Sequence, residues 1–556
     1  MNIRYQYRYV TGLLKRYGFR GLVFKTLERI QSPMLSYGEC YTAYLPTESE
    51  LQWQKETKFD YAPLVSIVVP TYETPETYLR ELIETVQGQS YENFELCLAD
   101  GSQSDVVAVV AKEYAAKDTR IRYKKLEKNG GISENTNGGF AMAKGEFIAL
   151  MDHDDLLVKN ALYEMIRKLN LAYSKEERAY AMIYSDEDKI NGDGTQYSRP
   201  HFKPDYNPQF LRHNNYFCHF LLFSAKLLEQ TKGLRKEYDG AQDYDFVLRC
   251  VEAGAIVKHV PKILYHWRIH EGSTAGNSAD KAYAFDNGCK AIEAHLNRIG
   301  EPGSANVTAN LGVYQVTYPL NGTYKITVIA EEQKQTEYLK KCYGTVYTKD
   351  SYTLEIEYIQ ADSSDINIWK KCGGEYIFYL AKPISIKEKG LLEKLLRHCQ
   401  HEKIAAVSAK IINKKKRVSS CGYIYRRDGA IIPAFYGLRA EYKGYFLRAV
   451  IPQNVSVVSM QCTMVKKAVL EEVGGFCEEF QGTFRSADFC LKAKEAGYEI
   501  MVAPEAVAVT TDTFSFYKRP DEFFERWGMV FMQSDECYNS NLILGMADTY
   551  RMKGKK

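Results

Sequence analysis

Five stretches of this chain carry residue types at spacings that could do chemistry. The densest is Met151-Asp-His-Asp-Asp155, where Asp152 and Asp154 lie two apart directly after an apolar run. Alternate carboxylates in a loop can reach one cation. Mg²⁺ in particular is shared between one or two carboxylates and substrate phosphates. The second is Gly240-Ala-Gln-Asp-Tyr-Asp245, followed by Phe246, Leu248 and Arg249. It reads as a helix start, where acidic side chains suit the dipole. That accounts for Asp245 and leaves Asp243 available as a general base facing a cleft. The third is Leu264-Tyr-His-Trp-Arg-Ile-His270 with Glu271-Gly-Ser-Thr274. It offers His266 or His270 as a metal ligand and Arg268 as a phosphate holder, against the plainer reading of a structural histidine.

The fourth stretch is Asn129-Gly-Gly-Ile-Ser-Glu-Asn135 with Asn137-Gly138-Gly139. Its glycines allow close backbone approach to a ligand. The alternative is a plain loop with Ser133 as a helix cap. The fifth, Tyr184-Ser-Asp-Glu-Asp188, reads as an acidic strand end that either lines an acceptor site or is a solvated turn.

The elements that must position these groups alternate. Strands are expected at Val65 to Val69, Phe94 to Ala99, Ile121 to Leu126 and Phe147 to Met151, with helices at Tyr78 to Gln87, Asp105 to Ala116 and Glu134 to Ala143. Such alternation means an α/β fold with a parallel sheet and crossover connections. Ligands of such sheets bind beyond the carboxyl ends of the strands, where Asp100 and Asp152 both fall.

Composition narrows the class. The 556 residues suffice for two to four domains. A hydrophobic content of 45% excludes global disorder, and a net charge of +3 gives no whole-chain footprint for nucleic acid. Residues 1–30 alone carry +6, which leaves −3 for the rest. An amphipathic stripe from Val10 to Ile30 fits either a helix packed on the body or one lying on an anionic membrane surface. The basic turn Asn413-Lys-Lys-Lys-Arg417 is either a solvated hairpin tip or a membrane-facing patch. Thirteen cysteines without a CxxC pair point to reduced thiols in a cytosolic protein. No apolar run approaches the length of a membrane span, and no secretory signal is evident.

The chain also repeats itself. Glu146-Phe-Ile-Ala-Leu-Met-Asp152 resembles Glu375-Tyr-Ile-Phe-Tyr-Leu-Ala381, and Asp245 to Gly254 resembles Asp488 to Gly497. A second, related domain is therefore expected, with a boundary near the turn-rich Pro319-Leu-Asn-Gly322. The expected division is a basic lead-in over 1–61, a first domain over 62–320 and a second domain with tail over 325–556.

Taken in order, Ser66-Ile-Val-Val-Pro-Thr-Tyr72, Asp100-Gly-Ser102, Asp152-His-Asp154, Gln242-Asp243 and the His266 to Thr274 stretch resemble the family 2 inverting glycosyltransferases of the GT-A fold. The resemblance covers about residues 63–275. Tyr184 to Tyr206, with Phe202-Lys-Pro-Asp205, and the ending Cys537-Tyr-Asn-Ser-Asn541 look like bacterial members that build surface polysaccharides, in which a second glycosyltransferase-like unit often follows. Ala99 and Gln242 depart from the Asp and Glu that many relatives have there.

The resemblance implies a metal-dependent hexosyl- or deoxyhexosyl-transferase that uses Mg²⁺ or Mn²⁺. It implies nucleotide-sugar contacts at Pro70, Thr71, Asp100, Asn129, Asp152 and Arg268, metal contacts at Asp154, His266 and His270, and Asp243 as catalytic base. The donor would be a nucleotide sugar and the acceptor a growing, lipid-linked glycan. The location would be cytoplasmic, at the inner face of the membrane through the basic N-terminus. In the second copy Asp152, Asp154 and Asp243 become Ala381, Pro383 and Ser486, His266 and His270 become Val509 and Thr513, and Asp362 is the one match offered for Asp100. That copy is therefore expected to be a degenerate, non-catalytic GT-A-like domain. The competing readings are a non-catalytic glycan-binding or scaffold protein and a nucleotidyltransferase.

Overall fold

A computed structural model describes residues 45–270, 282–361, 365–512 and 519–542. The Val10 to Ile30 stripe, Glu271 to Thr274, Asp362 and Thr513 lie outside the described residues. The lead-in is described from Leu45. Its helix Glu48–Glu56 begins at a Thr47/Glu50 capping box, and the Gln54 side chain of that helix accepts from Ser90 at 2.7 Å.

Two mixed sheets organise the chain. The first holds β1 Val65–Thr71, β2 Phe94–Asp100, β3 Ile121–Lys125, β4 Phe147–Leu150, β5 Leu156–Leu157, β6 Ala181–Asn191, β7 Tyr197–His201, β8 Leu221–Ser224 and β9 Ile256–Ile269. Its order is β3-β2-β1-β4-β8-β6-β9-β5, with β7 on β6. β1 and β2 are buried at every position, as strands covered by helices on both faces must be. Their apolar side chains divide between two cores, one around Leu79, Leu82 and Ile166, the other around Phe140, Phe217 and Phe246. Pro70 lacks an N–H to donate, but β1 pairs with β4 only as far as Val68, so no ladder bond is lost on that side.

A ribbon of β10 Ser304–Val307 and β11 Tyr314–Thr317 leads to the second sheet. Its strands are β12 Gly322–Ala330, β13 Val346–Lys349, β14 Tyr352–Gln360, β15 Tyr376–Leu380, β16 Ile384–Ser385, β17 Ile404–Asn413, β18 Val418–Ser420, β21 Gln453–Asn454, β22 Cys462–Lys466 and β23 Glu499–Thr510. A separate hairpin is formed by β19 Tyr423–Tyr425 and β20 Ile431–Pro433. The order β14-β12-β15-β22-β17-β23-β16 reproduces β2-β1-β4-β8-β6-β9-β5. Each pairing keeps its direction: parallel for β12/β14, β12/β15 and β17/β23, antiparallel for β15/β22, β17/β22 and β16/β23. The edge differs. β13 runs antiparallel to β14 where β3 runs parallel to β2. Between β14 and β15 the described chain makes only a short 3₁₀ turn, Ile368–Lys371, in place of the helix Val106–Ala115, β3 and the helix Ile132–Phe140. The Gly-rich stretch thus has no counterpart there.

The two sheets share a polar seam. Asn539 donates to both Asp186 oxygens (3.0 and 2.9 Å) and to the Lys203 carbonyl (2.9 Å). Asn207 and Asn454 bond reciprocally, Asn207 Nδ2 to the Asn454 carbonyl and Asn454 N–H to Asn207 Oδ1. Phe202 and Ile263 reach from the first sheet into the core of the second. The basic turn after β17 is an exposed hairpin tip that leads into β18. The twelve described cysteines are all free thiols, most of them buried.

Because Asn539 satisfies two buried acceptors at once, Asn539→Ala should cost about 1–3 kcal/mol in denaturant unfolding. An unchanged midpoint would mean that the seam adds nothing to stability.

Candidate functional site

The functional residues stand where the first sheet's parallel strands end. Asp100 closes β2 and is fully buried. It accepts from Ser102 N–H at 2.8 Å, Tyr123 hydroxyl at 2.8 Å and Lys125 Nζ at 3.1 Å. Burial alone would raise its carboxyl, but Ser102, Tyr123 and Lys125 outweigh burial and hold it below the usual range. Thr71 ends β1 with its hydroxyl 3.4 Å from Asp100. The Gly-rich turn packs against the same loop. Asn129 accepts from Gly131 N–H and Asn135 Nδ2, and a Cβ at Gly101 would lie 2.6 Å from Asn135. Glycine is therefore required sterically at Gly101. Ser133 does not cap. The cap position is Gly131, at φ +93°, and Ser133 sits inside the helix, bonded to Asp239.

After β4 the acidic loop turns into the cleft. Asp152 keeps 48% of its side-chain surface accessible and faces His219 Nε2 at 3.9 Å. Its enclosed position, together with the neighbouring Asp154 and Asp243, pushes its carboxyl above the usual range against the pull of His219. Asp154 contacts His270 Nε2 at 2.7 Å. Asp155 turns inward. It accepts from the Tyr265 hydroxyl at 2.5 Å and Arg268 N–H at 2.7 Å, and burial raises its carboxyl well above normal.

Asp243 lies in the first turn of the helix Gln242–Glu252, as the spacing predicts. Its Oδ2 accepts from Asn215 at 3.0 Å and from the Cys218 thiol at 2.6 Å. Burial pushes that thiol up, with Asp243 adding to the effect. Asp245 points the other way, into Arg235 and Arg249. Its counterpart Asp488 likewise meets Lys492 and Arg526, so this acid braces a helix in both copies.

Two expected ligands are committed elsewhere. His266 contacts Asp188 at 2.5 Å, because β6 and β9 are parallel neighbours and these two residues are register partners. It does not join Asp154 and His270. Arg268 is fully buried. It donates to the Asp154 carbonyl (2.7 Å), the Gly192 carbonyl (2.8 Å) and Glu81 (2.5 Å), with its guanidinium over Tyr78. These donors are turned into the fold. Asp186 and Asp188 form no strand end either, since both lie inside the eleven-residue β6. Among the described residues no three His, Cys, Asp or Glu side chains converge as a ready-made metal cage. A divalent cation still fits the pair Asp152/Asp154. Burial raises Asp152, with Asp154 and Asp243 adding to it, His153 Nδ1 is buried without a partner, and two protein ligands suffice where phosphates complete the shell.

Sequence reasoning missed the support. Lys203 is fully buried. Its ammonium donates to Glu187 at 3.1 Å and to the carbonyls of Phe217, Cys218 and His219. It fixes the loop that delivers Cys218 to Asp243 and His219 to Asp152. Burial would raise Glu187, but Lys189 and Lys203 hold its carboxyl far below normal. The available signal was the polar run Arg212 to Asn215 just ahead of the apolar β8.

With this geometry established, the likeness to known proteins can be read. Residues 66–231 match glycosyl transferase family 2. Protein y4gI of Sinorhizobium fredii is 30% identical over 535 residues, covering 87% of this chain and 58% of that protein. The O-antigen biosynthesis protein RfbC of Myxococcus xanthus is 28% identical over 473 residues, covering 79% of this chain and 36% of that protein. The glycosyltransferase MJ1057 of Methanocaldococcus jannaschii is 30% identical over 214 residues, covering 37% of this chain and 71% of that protein. The chain therefore belongs to glycosyl transferase family 2, and its first sheet is that family's α/β unit. It spans little more than half of the first of these relatives and about a third of the second.

Two consequences can be measured. Lys203→Met leaves Glu187 buried with Lys189 as its remaining lysine partner and should cost about 3–5 kcal/mol in chemical unfolding. Asp152 binds its proton more tightly folded than unfolded, so its ionisation opposes folding once pH exceeds the unfolded value. Asp152→Asn should therefore raise the thermal midpoint at pH 8, with the gain vanishing towards pH 3. A gain that persists at pH 3 would contradict this origin.

Proposed function

We propose that the chain is an inverting glycosyltransferase that moves a hexosyl or deoxyhexosyl group from a nucleotide-diphosphate sugar to a hydroxyl of a growing bacterial surface glycan. The observation that carries the reading is the convergence of Asp152 and Asp243 on one cleft at the strand ends, with Asp154 beside them. Family membership supports the reaction class, and the similarity to an O-antigen biosynthesis protein supports the glycan. A lipid-linked acceptor and a position at the inner membrane face fit the same reading. No helix among the described residues is long and apolar enough to cross a membrane.

Asp243 acts as the base. Its two hydrogen-bond donors both sit on Oδ2, which leaves Oδ1 to take the acceptor's proton. The acceptor oxygen bonds to the anomeric carbon as the bond to the diphosphate breaks on the opposite face, which inverts the centre. Asn215 and the Cys218 thiol aim the carboxylate, and Lys203 holds the loop that carries Cys218. Asp100, with Thr71 and the Asn129 turn, forms the rim for the base and ribose. Asp154 and Asp152 would hold Mg²⁺ or Mn²⁺, with His270 orienting Asp154, and the ion when bound neutralises the departing diphosphate. The second unit is non-catalytic in this reading, because Ala381, Pro383 and Ser486 supply neither carboxylates nor a base.

The test is release of nucleoside diphosphate from a panel of nucleotide sugars, with Mg²⁺ or Mn²⁺ and with chelator, in the presence of oligosaccharide acceptors. Turnover should need the metal and fall about 10²–10⁴-fold in Asp243→Asn. Release of pyrophosphate instead would identify a nucleotidyltransferase and overturn the proposal.

A further inference from the structure

The second unit has lost the acidic groups but not the space. A cavity of about 680 Å³ opens at the carboxyl ends of its strands, within the roughly 300–1,000 Å³ typical of small-molecule sites. Ala381, Pro383 and Ser486 line it. These are the positions that hold Asp152, Asp154 and Asp243 in the first unit, so the cavity is the counterpart of the first cleft, emptied of its metal and base chemistry.

What remains selects a ligand. Arg485 is the one cation among the described lining residues, against Glu331, Asp365 and Asp512. The three carboxylates outnumber it, so the field opposes a nucleoside diphosphate. The other polar groups are neutral donors and acceptors, among them Ser419, Ser459 and Gln461. Tyr379, Tyr423 and Phe476 add aromatic surface that can cover the apolar face of a sugar ring. The Tyr379 hydroxyl is buried without a hydrogen-bond partner. A buried hydroxyl left unpaired costs stability that a ligand hydroxyl would restore. The loss of the Gly-rich helix fits as well, because the rim proposed above for base and ribose is missing with it.

We propose that this cavity is a binding site for neutral oligosaccharide, which retains the glycan chain while the first unit extends it. The choice of oligosaccharide rests on the glycan-building reading above. The retained chain would raise the effective concentration of acceptor at the first cleft.

The experiment uses the full chain and ligand-observed NMR. The probes are neutral tri- and tetrasaccharides of hexose and N-acetylhexosamine, with UDP and inorganic diphosphate as anionic controls. At least one oligosaccharide should bind. Ser419→Trp, which fills the cavity from a half-exposed position, should abolish binding and leave donor hydrolysis unchanged. Tyr379→Phe should weaken binding about three- to tenfold, with the unfolding midpoint unchanged or raised, since the hydroxyl makes no internal bond. Asp152→Asn should bind as the wild type does. Four outcomes would overturn the proposal: no oligosaccharide binding, undiminished binding in Ser419→Trp, loss of binding in Asp152→Asn, or displacement of bound sugar by UDP in that variant. Donor turnover measured in parallel separates the two readings. Turnover without binding at the cavity sinks this inference alone, and binding without turnover sinks the catalytic reading alone.

Discussion

The cleft end of the first sheet depends on one buried ion pair. Lys203 and Glu187 meet in a region closed to water, and the ammonium's other two protons are shared among three successive carbonyls, Phe217 to His219. A buried charge is tolerated only when every direction around it is answered. This one is answered by backbone, so the loop has a single position. Asn215 and Cys218 then meet Asp243 from one side and His219 meets Asp152 from the other. The carboxylates that face the cleft are left partly unanswered, and those that build it, Asp100, Asp155 and Asp245, are saturated with donors.

The duplicated sheet shows which parts of this plan are architectural. The strand order, the directions and the helix-bracing acid survive in both copies. The acidic loop, Asp243, the β3 edge and the Gly-rich helix do not. All four lost features sit at the rim of the sheet, though Ile121 of β3 and Phe140 of the Gly-rich helix also reach the cores. A sheet of this kind keeps its fold while its rim is stripped, because packing is carried by the strand interiors and chemistry by the loops at their ends.

Much of this was legible in the residues. The strands from Val65 to Leu150 declare themselves as short apolar runs between turn signals, and each lies within a residue or two of its expected place. Asp152, Asp154 and Asp243 were legible because spacing after a strand or at a helix start fixes direction. His266 and Arg268 were not, because their roles depend on β9 lying beside β6, a pairing across some eighty residues that no local pattern records. The role of Lys203 was hidden for the same reason: its motif stood out, but its burial and its partners are purely tertiary. Phe202-Lys-Pro-Asp205 and Cys537 to Asn541 each stood out in sequence, but only the fold shows that they bond to each other.

That last contact has a consequence in time. Asn539 reaches back across 353 residues to Asp186. At about 5–20 residues per second of synthesis, the amide appears roughly 20–70 s after the carboxylate it answers. Through that interval the carboxylate, on the strand that carries Glu187, is held only by the Lys203 N–H and His259, both made within 73 residues of it. A nascent chain interrupted before Asn539 keeps the acidic loop and Asp243 but lacks this clamp on β6. The segment around Asn539 is thus fitted to Asp186 only after the strands of both sheets have been made.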